Sequence, residues 1–86
     1  MIDQLTIAMS QQEMDLLRAG IKKEYPNSPD LNGPIGGPVD VGHGYSISWV
    51  YDGSTLVLSL DGGRLFMGMA KSKVTGLISK LIGRNI

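Results

Sequence analysis

The chain has 86 residues, no cysteine and equal numbers of acidic and basic residues, so its formal net charge is zero. This length predicts a single small domain spanning 1–86, and the lack of cysteine excludes disulfides and thiolate metal sites. No apolar stretch reaches the ~18 residues that a membrane span requires, and the start lacks the basic region of a signal peptide. We therefore expect a soluble, cytoplasmic protein.

The charges are distributed unevenly along the chain. Residues 1–61 carry eight acids and three bases, whereas residues 62–86 carry five bases and no acid. The two halves can neutralise each other within the fold or between subunits, or the basic end can bind an anionic partner. Five cations are few for a nucleic-acid surface, which favours neutralisation.

The first two elements are predicted to be a short strand and a helix. Residues 4–8 alternate between polar and apolar, which is typical of a strand. Ser10 and Glu13 form a Ser-x-x-Glu capping box, and Pro26 prevents the following helix from continuing. We expect this helix over 11–24. Its apolar face toward the core comprises Met14, Leu17, Ile21 and Tyr25.

Residues 26–44 are interpreted as a long Gly/Pro-rich loop. They hold all four prolines and five of the twelve glycines, and no periodicity persists through them. Such loops in small domains are often functional or disordered. Residues 38–41 are a candidate extended edge segment, because proline is tolerated at sheet edges.

Three more strands are predicted at 45–50, 55–60 and 65–69. They are joined at Asp52-Gly53 and Gly62-Gly63, which suit the positive φ angles of two-residue type I′ turns. Closing these turns gives a three-stranded antiparallel meander with one apolar face. That face comprises Tyr45, Ile47, Trp49, Leu56, Leu58, Leu60, Leu65, Met67 and Met69, with Trp49 opposite Leu56.

The last element is predicted to be a helix over 73–82, capped by Ser72 and ended by Gly83. Its apolar residues match the i, i+3, i+4, i+7, i+8 pattern completely. The resulting order is β-α-loop-β-β-β-α. We therefore predict an α+β fold, a two-layer sandwich with the meander packed against both helices.

The other face of the predicted meander carries small, hydroxyl and β-branched side chains and no charge. It can be a solvated face, it can be covered by the 26–44 loop, or it can be an interface. We predict the interface, and with it a non-catalytic, homo-oligomeric protein-interaction domain whose partner is protein, in the first place itself. The predicted interface residues are Val50, Val57, Phe66 and Gly68.

Two alternative functions are kept open. A small ligand can bind under the Gly/Pro-rich loop near Asp40, His43 and Tyr45, since loops on a rigid scaffold often carry such sites. An anion or nucleic acid can bind the basic flank of the last helix, although a solvated flank is the favoured interpretation. The predicted anion-binding residues are Lys71, Lys73, Lys80 and Arg84.

No catalytic residue, metal site or cofactor is predicted. His43 is the only histidine, and no Gly-x-Ser-x-Gly elbow accompanies it. The Gly/Pro-rich loop matches neither a Walker loop nor a dinucleotide fingerprint, because its prolines remove the N–H groups that would bind phosphate.

Overall fold

The computed structural model describes residues 2–42, 44–62 and 67–86 and shows an antiparallel sheet with two helices, which confirms the predicted α+β class. The side chains of residues 2 and 67–70 are not described. The elements in chain order are β1 (Ile2–Ala8), α1 (Gln11–Glu24), β2 (Ile35–Gly42), β3 (Tyr45–Tyr51), β4 (Thr55–Gly62) and α2 (Met67–Ile82).

The four described strands lie in the order β1-β4-β3-β2, and every neighbouring pair is antiparallel. The meander is formed by β2, β3 and β4, so the predicted pairing of β3 with β4 is kept, and the third strand of the meander is β2 and not 65–69. β1 lies at one edge beside β4, in the position that the sequence pattern assigned to 65–69. β2 forms the other edge.

The predicted strand at 65–69 is wrong at 67–69, which belong to α2, while Leu65 and Phe66 lie outside the described residues. A five-residue apolar run is compatible with either a strand or a helix, so its pattern alone is weak evidence for a strand. Counting back from Val74, the apolar residues Ala70 and Met67 continue the helical spacing of four and three residues. α2 therefore begins six residues earlier than predicted.

The register between β3 and β4 is shifted by two residues from the prediction. Trp49 pairs with Leu58 instead of Leu56. The Asp52 carboxylate accepts hydrogen bonds from the backbone N–H groups of Ser54 at 2.9 Å and Thr55 at 2.7 Å, so Asp52 precedes the turn and does not form its centre. A shift of two residues preserves the face of every side chain, and the predicted apolar face is buried as expected for 45–60.

α1 begins and ends where the sequence predicts. The Ser10 hydroxyl accepts from the Glu13 N–H at 3.1 Å, and the Glu13 carboxylate accepts from the Ser10 N–H at 3.1 Å, so the capping box is complete. Met14, Leu17 and Ile21 are buried, as predicted.

The core lies between the helices and one face of the sheet. Buried side chains of both helices form one cluster with the inward residues of the strands, so both helices cover the same face. α1 and α2 meet where Gly20 lies against Leu81, since a Cβ at Gly20 would collide with the leucine side chain. Within the described ranges, neither helix is long and apolar enough to cross a bilayer.

Much of the predicted loop is a strand, because β2 occupies Ile35–Gly42. The expected extended edge segment at 38–41 is thus part of a longer edge strand. The preceding segment lies on the helix side of the sheet, where Leu31 is buried and the Lys22 ammonium donates to the Ser28 carbonyl at 2.6 Å. This segment leaves the opposite face of the sheet uncovered.

Candidate interaction surface

The face of the sheet opposite the helices, here called the outer face, is built from regular cross-strand rows. Inward residues are fixed by burial of the core, and strand alternation then directs their neighbours outward. The described outward residues are Gln4, Thr6, Ala8, Ile35, Asp40, Ser46, Ser48, Val50, Thr55, Val57, Ser59 and Asp61.

The first row contains the three large aliphatic side chains described on this face. Val57 pairs with Val50 across β4 and β3, and Val50 pairs with Ile35 across β3 and β2. We call Val57, Val50 and Ile35 the aliphatic row. Ile35 is 68% exposed and Val50 is 53% exposed, and both are unusually exposed for large aliphatic residues in strands. Three adjacent aliphatic side chains form a contiguous patch, which scattered surface residues would not.

The next two rows contain polar side chains. Gln4, Ser59 and Ser48 pair directly and form the serine row, which lies two residues along the strands from the aliphatic row. Beyond it, Asp61 and Asp40 flank Ser46 and form the acidic row. The outer face therefore has an uncharged centre and a negative end.

The structure brings together two of the four predicted interface residues. Val50 and Val57 are cross-strand partners on the outer face. Gly68 lies in α2, so its predicted strand position is wrong, and Phe66 lies outside the described residues. The sequence interpretation missed Ile35 because the four prolines obscured β2. Its signal was the recurrence of Ile35, Val39 and Val41 within that segment.

The β1 edge of the sheet is capped by charged side chains. The Met9 N–H donates to the Ser54 carbonyl at 2.9 Å, so by antiparallel alternation Gln4, Thr6 and Ala8 direct their backbone groups away from β4. The Gln4 N–H donates to the Asp3 carboxylate at 2.8 Å. The Ala8 carbonyl accepts from the Arg84 guanidinium at 2.8 Å. These two contacts leave Thr6 as the uncapped position between them.

The β2 edge is irregular. Its pairing with β3 shifts between Gly36 and Val39 and again between Asp40 and Gly42. Pro38 lacks an N–H group, and bulges distort the row of backbone groups that another strand would need. Both edges therefore disfavour strand addition, as natural sheet edges often do.

Three of the four predicted anion-binding residues line one shallow groove of about 830 Å³ along α2. Each of the three also lies near a carboxylate from the acidic part of the chain. Lys71 is 3.5 Å from Asp3, Lys80 is 3.1 Å from Glu24, and Arg84 is 2.7 Å from Glu13. Lys73 is exposed on α2 and is not among the groove residues. These pairs favour neutralisation within the fold.

The Arg84–Glu13 pair joins the two ends of the chain. Hydrogen bonding to Arg84, together with the Ser10 N–H, lowers the pKa of the Glu13 carboxyl, and the same contact with Glu13 raises the pKa of Arg84. Glu13 thus completes the α1 cap and holds the residue that caps the β1 edge. The folded chain therefore stabilises the ionised form of the Glu13 carboxyl relative to the unfolded chain.

The predicted ligand-binding residues are brought together only in part. Asp40 and Tyr45 line one hollow of about 400 Å³ beside Gly44, and Asp40 also borders a hollow of about 480 Å³ next to residues 24–28. The Asp40 carboxylate accepts from the Gly42 N–H at 2.8 Å, and Tyr45 is buried. His43 lies outside the described residues. Across the described residues, no group of three His, Cys, Asp or Glu side chains is placed to hold a metal ion.

No protein-family model matches this chain, and comparison with curated proteins and with solved structures gives no match.

Proposed function

We propose that this protein is a non-catalytic protein-interaction domain that self-associates and binds other protein through its outer face. The observation that carries the proposal is the aliphatic row, in which Ile35 and Val50 are exposed and Val57 is half-buried, on the part of the outer face that lacks charged residues. The solvated face of an antiparallel sheet normally carries polar side chains, and three adjacent aliphatic residues depart from that pattern. Burying three aliphatic side chains against a partner would be favourable by about 25 cal/mol for each Å² of apolar surface removed from water.

This function is preferred over ligand or anion binding because the alternatives have competing internal partners. One oxygen of Asp40 already accepts a backbone hydrogen bond, and the cations of the α2 groove lie beside carboxylates. The aliphatic row has no such competitor, since apolar side chains gain only by being covered.

A charged residue in the aliphatic row tests the proposal. We expect Val50→Lys to weaken self-association, and capture of any protein partner, by at least about tenfold, because it would bury an ammonium group without a partner. Sedimentation equilibrium of the pure protein up to high concentration, and pull-down from the native host, measure both effects.

Leu16→Lys is the matched control. Leu16 is 48% exposed on α1, so this change adds the same charge to a similarly exposed aliphatic position away from the outer face. We expect it to leave association unchanged. A wild-type chain that stays monomeric and captures no protein would contradict the proposed function. Equal loss of binding in Val50→Lys and Leu16→Lys would contradict it as well.

A further inference from the structure

We infer that Asn32 is a site of spontaneous covalent modification, at which the Gly33 backbone nitrogen displaces ammonia from the side-chain amide and an aspartyl or isoaspartyl residue is left. This site lies between α1 and β2, and the inference is independent of the proposed function. Glycine after asparagine favours the reaction, because no side chain hinders the approach of the glycine nitrogen to the carboxamide. The chain contains one such pair, Asn32-Gly33.

The reaction has two steps. The Gly33 nitrogen bonds to the side-chain carbonyl carbon of Asn32, the bond from that carbon to the amide nitrogen breaks, and ammonia leaves with the proton of the Gly33 N–H. Water then opens the cyclic imide. Cleavage at the side-chain carbonyl gives aspartate, whereas cleavage at the main-chain carbonyl gives isoaspartate, in which the main chain runs through the former side chain. Solvent water is the only co-reactant.

The fold leaves both reacting groups free. Asn32 and Gly33 are exposed and lie outside any helix or strand. The Asn32 backbone N–H donates to the Asp30 carboxylate at 3.1 Å, but no hydrogen bond among the described residues holds the Asn32 carboxamide or the Gly33 N–H. A Cβ at Gly33 would meet nothing within 4 Å, so the backbone has room to rotate. The nitrogen can therefore reach the carboxamide without breaking a helix or a sheet ladder.

Two other positions show how the fold prevents the same reaction. After Asn27, Ser28 is buried and its N–H donates to the Tyr25 carbonyl at 2.9 Å, so the nitrogen that would attack is held. The Asp52 carboxylate, which precedes a glycine, accepts hydrogen bonds from the turn that follows it, and these lower its pKa. An ionised carboxylate is a poor electrophile, so Asp52 stays unreactive. The structure thus singles out Asn32.

Isoaspartate at this position would disturb the start of β2. It adds one methylene to the main chain between two held points, since Leu31 is buried in the core and the Pro34 carbonyl accepts from the Tyr51 N–H at 2.8 Å. Between them, the Arg18 guanidinium donates to the Gly33 carbonyl at 3.1 Å. The longer main chain no longer fits the spacing that these contacts fix. We therefore expect the hydrogen bond from Tyr51 to Pro34 to open more often.

Incubation of the pure protein under native conditions tests the inference. We expect peptide mass spectrometry to find aspartate and isoaspartate accumulating at Asn32 and not at Asn27, with the new carboxyl labelled when the solvent is heavy-oxygen water. Gly33→Ala is the matched variant, because it keeps Asn32 and has room for its methyl group but restricts the backbone. Its rate at Asn32 should fall at least about tenfold, which corresponds to about 1.4 kcal/mol in the barrier.

The same incubation in urea separates the effect of the fold from that of the sequence. Unfolding should release Asn27 and raise its rate, while the rate at Asn32 should stay similar. Modification of Asn32 that appears only in urea, or equal native rates in wild type and Gly33→Ala, would overturn the inference. NMR hydrogen exchange of the isoaspartyl product tests the consequence for β2. Faster exchange of the Tyr51 N–H is expected, and unchanged exchange would overturn the predicted disturbance.

Discussion

At the scale of single residues, the packing at Gly36 shows why β2 contains a glycine at this position. It pairs with Trp49, and a Cβ built at Gly36 would collide with the indole ring. Trp49, the largest fully buried side chain, therefore packs closely against the backbone of β2 at Gly36. A glycine that looks like part of a flexible loop in the sequence is required for close packing in the fold.

We expect Gly36→Ala to destabilise the protein by about 1–3 kcal/mol, because the ring or the strand must shift to admit one methyl group. The comparison is Gly33→Ala, where a new Cβ meets nothing within 4 Å. That change should stay within about 0.5 kcal/mol of wild type. Urea unfolding of both variants measures the difference, and equal stabilities would contradict the packing of Trp49 on Gly36.

At the scale of secondary structure, α2 is the element whose extent differs most from the prediction. Serine is a favoured N-cap residue, but Ser72 lies inside the helix, which runs from Met67 to Ile82. The Thr75 hydroxyl donates to the Lys71 carbonyl at 2.8 Å, a contact between successive turns. A serine can cap a helix or be accommodated within one, so it does not by itself locate the boundary.

A proline at position 72 distinguishes the two boundaries. Within α2, Ser72→Pro should cost about 3 kcal/mol, because it removes a helical hydrogen bond and clashes with the preceding turn. Gln11→Pro is the control, since proline is well tolerated at the first position of a helix. If thermal unfolding shows equally small losses for both, the helix begins after Ser72.

At the scale of the whole molecule, the acidic and basic parts of the chain meet in ion pairs that join distant elements. Arg84 binds both Glu13 and the Ala8 carbonyl, so the end of the chain closes the start of α1 and the β1 edge together. Exposed ion pairs contribute little free energy of unfolding. Their consequence here is geometric, because they place charged side chains over backbone groups that could pair with another strand.

We expect the double change Asp3→Ala and Arg84→Ala to produce concentration-dependent assemblies larger than a dimer, because it uncaps the β1 edge. Sedimentation velocity and thioflavin fluorescence detect them. Adding Thr6→Pro should suppress the assemblies by removing the outward N–H between the two caps. Lys80→Ala, which removes the Lys80–Glu24 pair away from the edge, should not produce them. Assembly in that control would contradict the capping role.

Local patterns in the sequence determined α1, the apolar stripe of α2 and the faces of β3 and β4. The capping box of Ser10 and Glu13 acts within one helical turn, and alternation assigns Trp49 and Leu58 to one face even when the register shifts by two. Such features depend on neighbours in the chain, so the letters alone specify them.

Tertiary structure alone decided which strand joins β3, where β1 pairs and what covers the sheet. Ile35 lies in the aliphatic row because Gly36 allows β2 to pack closely against Trp49. β1 occupies the place beside β4 that the sequence pattern assigned to 65–69. These outcomes depend on contacts between residues far apart in sequence, where several pairings bury similar apolar area. Competition among those pairings, and not local propensity, selects the strand order and exposes the candidate interface.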